Sequence, residues 1–513
     1  MEISKIKIIA LVLALFIIPA INLSCDNSNS GTENNENIDV PDENNAIDEN
    51  QIKTDSGSDE SANTAETRPE YDLPEKDFGN YNFRIISRSE AANTHWWNCD
   101  ISADTENGDP INDGVYQRNK KVEERYNIAI TNIPDSAVGT KASRSIKSGS
   151  DDYDLIVIGL RDGQENLTSS GYLLDLHSMP YVDLSKPWWD QKAVEQLSIN
   201  NKLFATSCDL TIRDKDAIII LMFSKTLAKN YELEDLYQLV ASGKWTFSKM
   251  LDMIKAVSSD INGDGVMDDK DQYGLLTEYV NSLFMFNAAG EYISKLNADK
   301  VSEITLHNER SAAVCEKIIE ICGNKNYAVN AEDMTSKYAD IWDGFQISMF
   351  SEDRALFYHA GMNRVTLLRT MENDFGIIPP PKYDENQANY YVVVDPWCTS
   401  TVSVPITVED KERTGLILET LAYESRYILL PAYYEINLKT KFARDEESRE
   451  MIDIILTNRL YDLGEIYNWG NVGVFFEDIS RGKGSSLAAY WEKNGLKIEA
   501  DMMKTLDKLN DLD

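Results

Sequence analysis

Asp154-Leu155-Ile156-Val157-Ile158-Gly159 is a continuous apolar run that opens on an acid and closes on a glycine. A run without polar alternation suits a strand covered on both faces, and such strands belong to parallel sheets flanked by helices. Upstream, residues 81–87 (YNFRIIS) alternate as a strand, 115–126 carry apolar residues at helical spacing, and 128–131 read as a second strand. Downstream, the spacing predicts helices over 233–242, 248–258, 309–322, 414–423 and 446–458. Strands alternating with helices predict an α/β body. No internal repeat of fixed period is present.

With 513 residues, 42% of them hydrophobic, the chain is long and apolar enough for more than one domain. Its 86 Asp and Glu against 50 Lys and Arg leave a formal charge of −36. Nucleic-acid binding needs grouped Lys and Arg to neutralise phosphates, so no nucleic-acid partner is expected, nor charge attraction to anionic lipid. Residues 1–7 carry lysines and 8–21 are an almost unbroken apolar run, fitting a signal peptide better than a membrane span. It ends in Asn22-Leu23-Ser24-Cys25, which resembles the bacterial lipoprotein box, with Asn22 where that pattern favours an aliphatic residue. The resemblance implies a lipoprotein signal peptide over 1–25, cut just before Cys25, which becomes the diacylated N-terminus. The chain is then expected at the cell surface, held to the outer face of the cytoplasmic membrane through the lipid anchor only.

Residues 26–77, rich in Asn, Asp, Glu, Ser and Thr, are predicted to be a disordered acidic tether, with the body beginning near Phe78. Cys99, Cys208, Cys315, Cys322 and Cys398 form an odd, scattered set rather than a disulfide framework. Cys315 and Cys322 fall on one predicted helix, about 10 Å apart in axial rise, beyond disulfide reach.

The run 260–271 (DINGDGVMDDKD) places Asp260, Asn262, Asp264, Asp268 and Asp271 at loop positions 1, 3, 5, 9 and 12. Gly265 stands at position 6 and the Val266 carbonyl at position 7. Calcium takes six to eight oxygen ligands, and this spacing is that of a calcium loop, with Asp271 in place of the usual bidentate Glu. A structural Ca2+ is therefore expected; the other reading is a solvated acidic turn. The four histidines lie in no metal-ligand spacing, and neither a G-x-S-x-G elbow nor a phosphate loop occurs.

Within 173–250 three features stand in order: Asn200-Asn201-Lys202-Leu203-Phe204-Ala205, then Phe223-Ser224-Lys225 closing an apolar strand, then Trp245-Thr246-Phe247-Ser248. Further on come Arg354-Ala355-Leu356-Phe357 and Asp374-Phe375-Gly376-Ile377-Ile378-Pro379. In sequence and spacing these resemble family 1 extracellular solute-binding proteins, the maltose-binding type, and 432–445 (AYYEINLKTKFARD) resembles a clostridial-type branch of such lipoproteins. The resemblance implies an α/β, two-lobe periplasmic-binding-protein-like fold (type II) with hinge crossovers. Lobe one would hold 78–205 and 350–405, lobe two 206–349 and 406–513. It also implies a monomer that captures an oligosaccharide by hinge closure, delivers it to ABC permease subunits and is not an enzyme. A surface adhesin or signalling lipoprotein, or a glycan-processing enzyme, is the alternative.

Sugars present flat apolar faces and hydroxyl edges, so aromatic rings and Asp, Asn and Arg are the side chains to seek. Placed by the family, the candidates are Trp96 and Trp97 after the first strand, and Arg161 after the run at 154–158. Asp209 and Arg213 fall on the first crossover, Trp342 in lobe two, and Asp395 and Trp397 near the return crossover. Trp188 and Trp189 are expected to be structural.

Overall fold

The structure, a computed structural model, describes residues 68–91, 95–439 and 446–511, all within one unit from Arg68 onward. In chain order its strands are β1 (Tyr81–Arg88), β2 (Ile128–Asp135), β3 (Leu155–Ile158), β4 (Ile219–Ser224), β5 (Tyr273–Thr277), β6 (Ser294–Leu296) and β7 (Ser302–Ile304). They continue with β8 (Ala328–Asn330), β9 (Ala355–Gly361), β10 (Phe375–Ile378), β11 (Val392–Val393), β12 (Thr401–Ser403) and β13 (Arg459–Leu460). Two sheets organise the molecule. The first runs β12-β3-β1-β2, with β1 parallel to β2 and β3 and with β12 antiparallel at the edge. The second runs β10-β4-β9-β5-β8, with β5 parallel to β8 and β9, and β4 antiparallel to β9 and β10. The fold is α/β, two-lobed and periplasmic-binding-protein-like. Every residue of β3, β4, β5 and β9 is buried, as a strand covered on both faces requires.

Helix boundaries follow local chemistry. The helix Pro110–Tyr126 begins with Pro at a position that needs no N–H, and Asp109 accepts from the Asn112 amide at 2.9 Å. It ends at Asn127, whose φ of 49° is the left-handed turn Asn tolerates. Thr246 caps Phe247–Val257 and Asn308 caps Glu309–Cys322 in the same way. Trp188 and Trp189 are buried, and both indole N–H groups donate to Glu419, at 2.9 and 3.0 Å.

The expected lobe limits need correction in three places. Residues 68–77 belong to the body: Tyr71 packs edge-on against Trp188 and donates to Glu419 at 2.9 Å, Arg68 pairs with Glu424 at 2.5 Å, and Leu73 is buried. The block 350–405 is divided, because β9 and β10 pair with β4 and β5 in the second sheet and only β12 joins the first. The block 406–513 is divided too. Helices Lys411–Tyr427 and Leu429–Lys439 pack on Pro110–Tyr126, whereas Glu446–Thr457 packs on β10. Cys25 and the segments 1–25 and 26–67 lie outside the described residues.

Two crossovers run side by side between the sheets. The Asp395 amide donates to the Ala217 carbonyl at 2.9 Å, and Ile218 and Val394 form an antiparallel bridge. Beside them a buried ion network gathers around residues 209–216. Lys215 contacts Asp209 at 2.8 Å and Asp214 at 3.0 Å, and Arg459 contacts Asp190 at 3.1 Å.

Candidate functional site

In both lobes the parallel strands aim their carboxyl ends at one space. Arg88 ends β1, Asp135 ends β2, Arg161 follows β3, Glu278 follows β5 and Gly361 ends β9, and all five line a single cavity of about 1510 Å³. Carboxyl ends of strands in open α/β sheets are where ligands bind. The cavity is fed by both lobes and by the return crossover through Asp395.

Three tryptophans supply much of its aromatic surface. Trp397 is 48% exposed and Trp342 is 41% exposed, far above the other large aromatics of the core. Trp342 is the second residue of a helical turn, Ile341–Ile347, whose cap, Asp340, accepts its amide at 2.9 Å. The Trp397 amide donates to Asp395 Oδ1 at 2.8 Å, and the Arg161 guanidinium lies 5.3 Å from the centre of the Trp397 ring. Trp96 reaches the second lobe: a Cβ on Gly361 would lie 3.4 Å from its ring. Exposed indoles on such a wall offer flat stacking faces with an N–H for hydroxyls.

Polar groups ring these faces. Glu278 accepts from Gln346 Nε2 at 3.2 Å, and Arg364 pairs with Asp343 at 2.9 Å. His95 Nε2 lies 3.8 Å from the same Asp343, so the first-lobe lip meets the second lobe there. Burial raises the carboxyls of Glu278, Asp395 and Asp162 above their usual range; Arg364 partly offsets this for Glu278, and Arg88 does so for Asp162.

Of the candidates read from sequence, Trp96, Arg161, Trp342, Asp395 and Trp397 come together in this cavity, and Trp97, Asp209 and Arg213 do not. Asp209 is buried in the ion network, accepting from Lys215 and facing Arg426 at 3.3 Å. Arg213 is buried as well, donating to the Trp97 carbonyl at 2.8 Å, to Asp216 at 2.6 Å and to Cys99 Sγ at 3.0 Å. Asp209 and Arg213 stand on a crossover, but their charges are spent on holding it. Arg88, Asp162, Glu278 and Arg364 were missed. Their signal was position alone: each closes or follows a strand, and the rule that found Arg161 applies equally to Arg88 and Glu278.

The acidic loop lies elsewhere. Asp260 accepts from the Gly263 and Gly265 amides at 2.6 and 2.7 Å, Asn262 from Asp264 at 2.8 Å, and Asp264 from Val266 at 2.9 Å. Asp268 accepts from Lys270 at 2.9 Å, and buried Asp271 from Ile261 at 3.1 Å and Asp268 at 2.8 Å. The side-chain oxygens thus serve the loop's own turns. Among the described residues no group of three or more His, Cys, Asp or Glu side chains converges to hold a metal.

No protein-family model matches the chain, and no curated protein matches it in sequence. Solved structures do match in fold. One is a cyclo/maltodextrin-binding protein complexed with maltotetraose, 14% identical, with a TM-score of 0.51 over 84% of this chain and 96% of that one. Another is an ABC substrate-binding protein from Listeria monocytogenes in complex with cycloalternan, 11% identical, with a TM-score of 0.49 over 85% of this chain and 98% of that one.

Proposed function

We propose that this chain is an extracytoplasmic solute-binding protein of an ABC importer, anchored by a lipid on Cys25, that captures an oligosaccharide in the interlobe cleft. The observation that carries the reading is the cleft itself: three tryptophans, from both lobes and the return crossover, around a space of about 1510 Å³ edged with Glu, Asp and Arg. Flat rings for sugar faces and charged edges for hydroxyls make one recognition chemistry. Binding without turnover is part of the same proposal: Arg364 and Arg88 are engaged by protein groups, Glu278 accepts from Gln346 and Asp395 from the Trp397 amide.

Titration calorimetry with maltotetraose and a panel of other oligosaccharides tests this. The expected result is one-to-one binding with the sugar recovered intact. Absence of binding across the panel, or release of shorter sugars, overturns it. For Cys25, metabolic labelling with a radioactive fatty acid should mark the chain, and Cys25→Ala should lose the label.

Calcium in the 260–271 loop is a separate proposal, supported by the spacing of its oxygens and by Gly265 at φ 82°. Asp264 and Asp268 each accept from a loop amide, Val266 and Lys270, through one carboxylate oxygen, and ligation would use the other.

A further inference from the structure

Arg88 is 5% exposed at the last position of β1, and a guanidinium so placed must find partners or forfeit its hydration. Nearly all of its partners come from one loop. Its Nη1 donates to the Trp397 carbonyl at 2.8 Å; its Nη2 donates to the carbonyls of Cys398 and Thr399 at 2.9 and 2.8 Å and to Ser400 Oγ at 2.7 Å. Four successive residues are thereby folded around one cation. Three backbone carbonyls pointing one way repel one another unless a cation sits among them, so the loop's curvature depends on this side chain.

The neighbours reinforce the arrangement. Asn98 accepts from the Arg88 amide at 3.4 Å and donates to Ser400 Oγ at 3.1 Å. Asp162 Oδ2 stands 4.0 Å from the guanidinium, on the turn that follows β3. That turn meets the loop directly: the Arg161 amide donates to the Pro396 carbonyl at 2.9 Å. A Cβ on Gly159 would lie 2.7 Å from the Trp397 carbonyl, so only glycine lets the two segments approach so closely. Arg88 therefore sits where both segments converge, and the side chains they present to the cleft are Trp397 and Arg161.

We infer that Arg88 is a positioning residue for ligand capture: it sets the Trp397 loop before ligand arrives and so presents the indole and Arg161 as one preformed surface. The inference rests on the cleft being the ligand site. Preorganisation of this kind lowers the ordering cost that binding otherwise carries.

The test has a ligand-free arm and a binding arm, both on the whole chain. In hydrogen exchange without ligand, Arg88→Lys should accelerate the amides of 397–400 at least tenfold and leave β2 and β3 at their wild-type rates. A lysine keeps the charge but cannot reach four acceptors at once. Ser400→Ala, which removes one acceptor, should give a smaller acceleration of the same amides. Unchanged exchange at 397–400 in both variants overturns the inference, as does equal acceleration throughout the first lobe. Should Arg88→Lys fail to fold, Ser400→Ala alone decides, by the same criterion.

In the binding arm, maltotetraose affinity is measured for wild type, Arg88→Lys, Trp397→Ala and the double variant. Arg88→Lys should weaken binding about fourfold alone, no more than Trp397→Ala does, and by less than twofold when Trp397 is already Ala, the non-additivity expected of residues that act together. Full additivity overturns the inference. If wild type binds no oligosaccharide, the proposed function fails, while the exchange arm still decides what Arg88 does to its loop.

Discussion

Trp397 and Trp342 each hold a large exposed ring against the cleft, so each should contribute separately to affinity. Trp397→Ala or Trp342→Ala is expected to cost about 1 kcal/mol of binding, roughly a fivefold rise in Kd by calorimetry, with the thermal midpoint little changed. A wild-type Kd in either variant would remove that ring from the ligand surface. Glu419 is the opposite kind of residue, wholly structural. It accepts from Tyr71, Trp188, Trp189 and the Asp183 amide, yet burial outweighs these donors and lifts its carboxyl to about 7 from 4.5. The folded chain therefore binds this proton more tightly than the unfolded one. The Glu419 contribution to stability is fullest below about pH 4.5, falls as pH rises towards 7 and stays at the lower level beyond. Melting curves between pH 5 and 8 should slope down more steeply for wild type than for Glu419→Gln, and parallel slopes would contradict the assignment. Arg161, Asp395 and Trp397 were legible because strand ends and crossovers can be read from apolar runs. Asp209 and Arg213 misled because Arg426, Cys99 and the Trp97 carbonyl, which engage them, lie far off in sequence and follow no local pattern.

Among the elements, the strongly patterned ones were read closely: the helix Glu309–Cys322 stands at its expected limits, and β1 extends the expected strand by one residue. Assignment of strands to sheets was harder. β9 is buried throughout, and nothing in its residues specifies whether β1 or β4 will be its neighbour; that is decided by the pairing seen at Met222 and Tyr358. Residues 68–77 were hidden by an average, since an acidic composition outweighs one Tyr and one Leu that dock firmly. The acidic loop carries its own prediction. If calcium binds there, millimolar calcium should raise the thermal midpoint over that in chelator, with a stabilisation of about 2.7 kcal/mol when the ion stands at a hundred times its Kd. The increment should vanish in Asp260→Ala, and equal midpoints in calcium and chelator would leave the loop held by its Asx turns alone.

For the molecule as a whole, a cleft between two lobes joined by paired crossovers implies hinge closure on ligand. Small-angle scattering should show a smaller radius of gyration with saturating oligosaccharide, and an unchanged profile would mean that the cleft binds without closing. The divided lobes carry a further consequence, for how the chain reaches its shape. β3 and its edge partner β12 pair across 243 residues, from Ile158 to Thr401, and the helices covering Pro110–Tyr126 come later still. A ribosome that has delivered β1, β2 and β3 has therefore delivered a sheet lacking one edge and part of its cover. The first lobe must wait, β3 unpaired along its outer edge, while the whole second sheet is synthesised. Such distant pairing slows folding and leaves intermediates open to aggregation. A fragment ending at residue 205 should accordingly show no cooperative melt, and the full chain should refold slowly from denaturant, with the first sheet gaining exchange protection only after Thr401 has found Ile158.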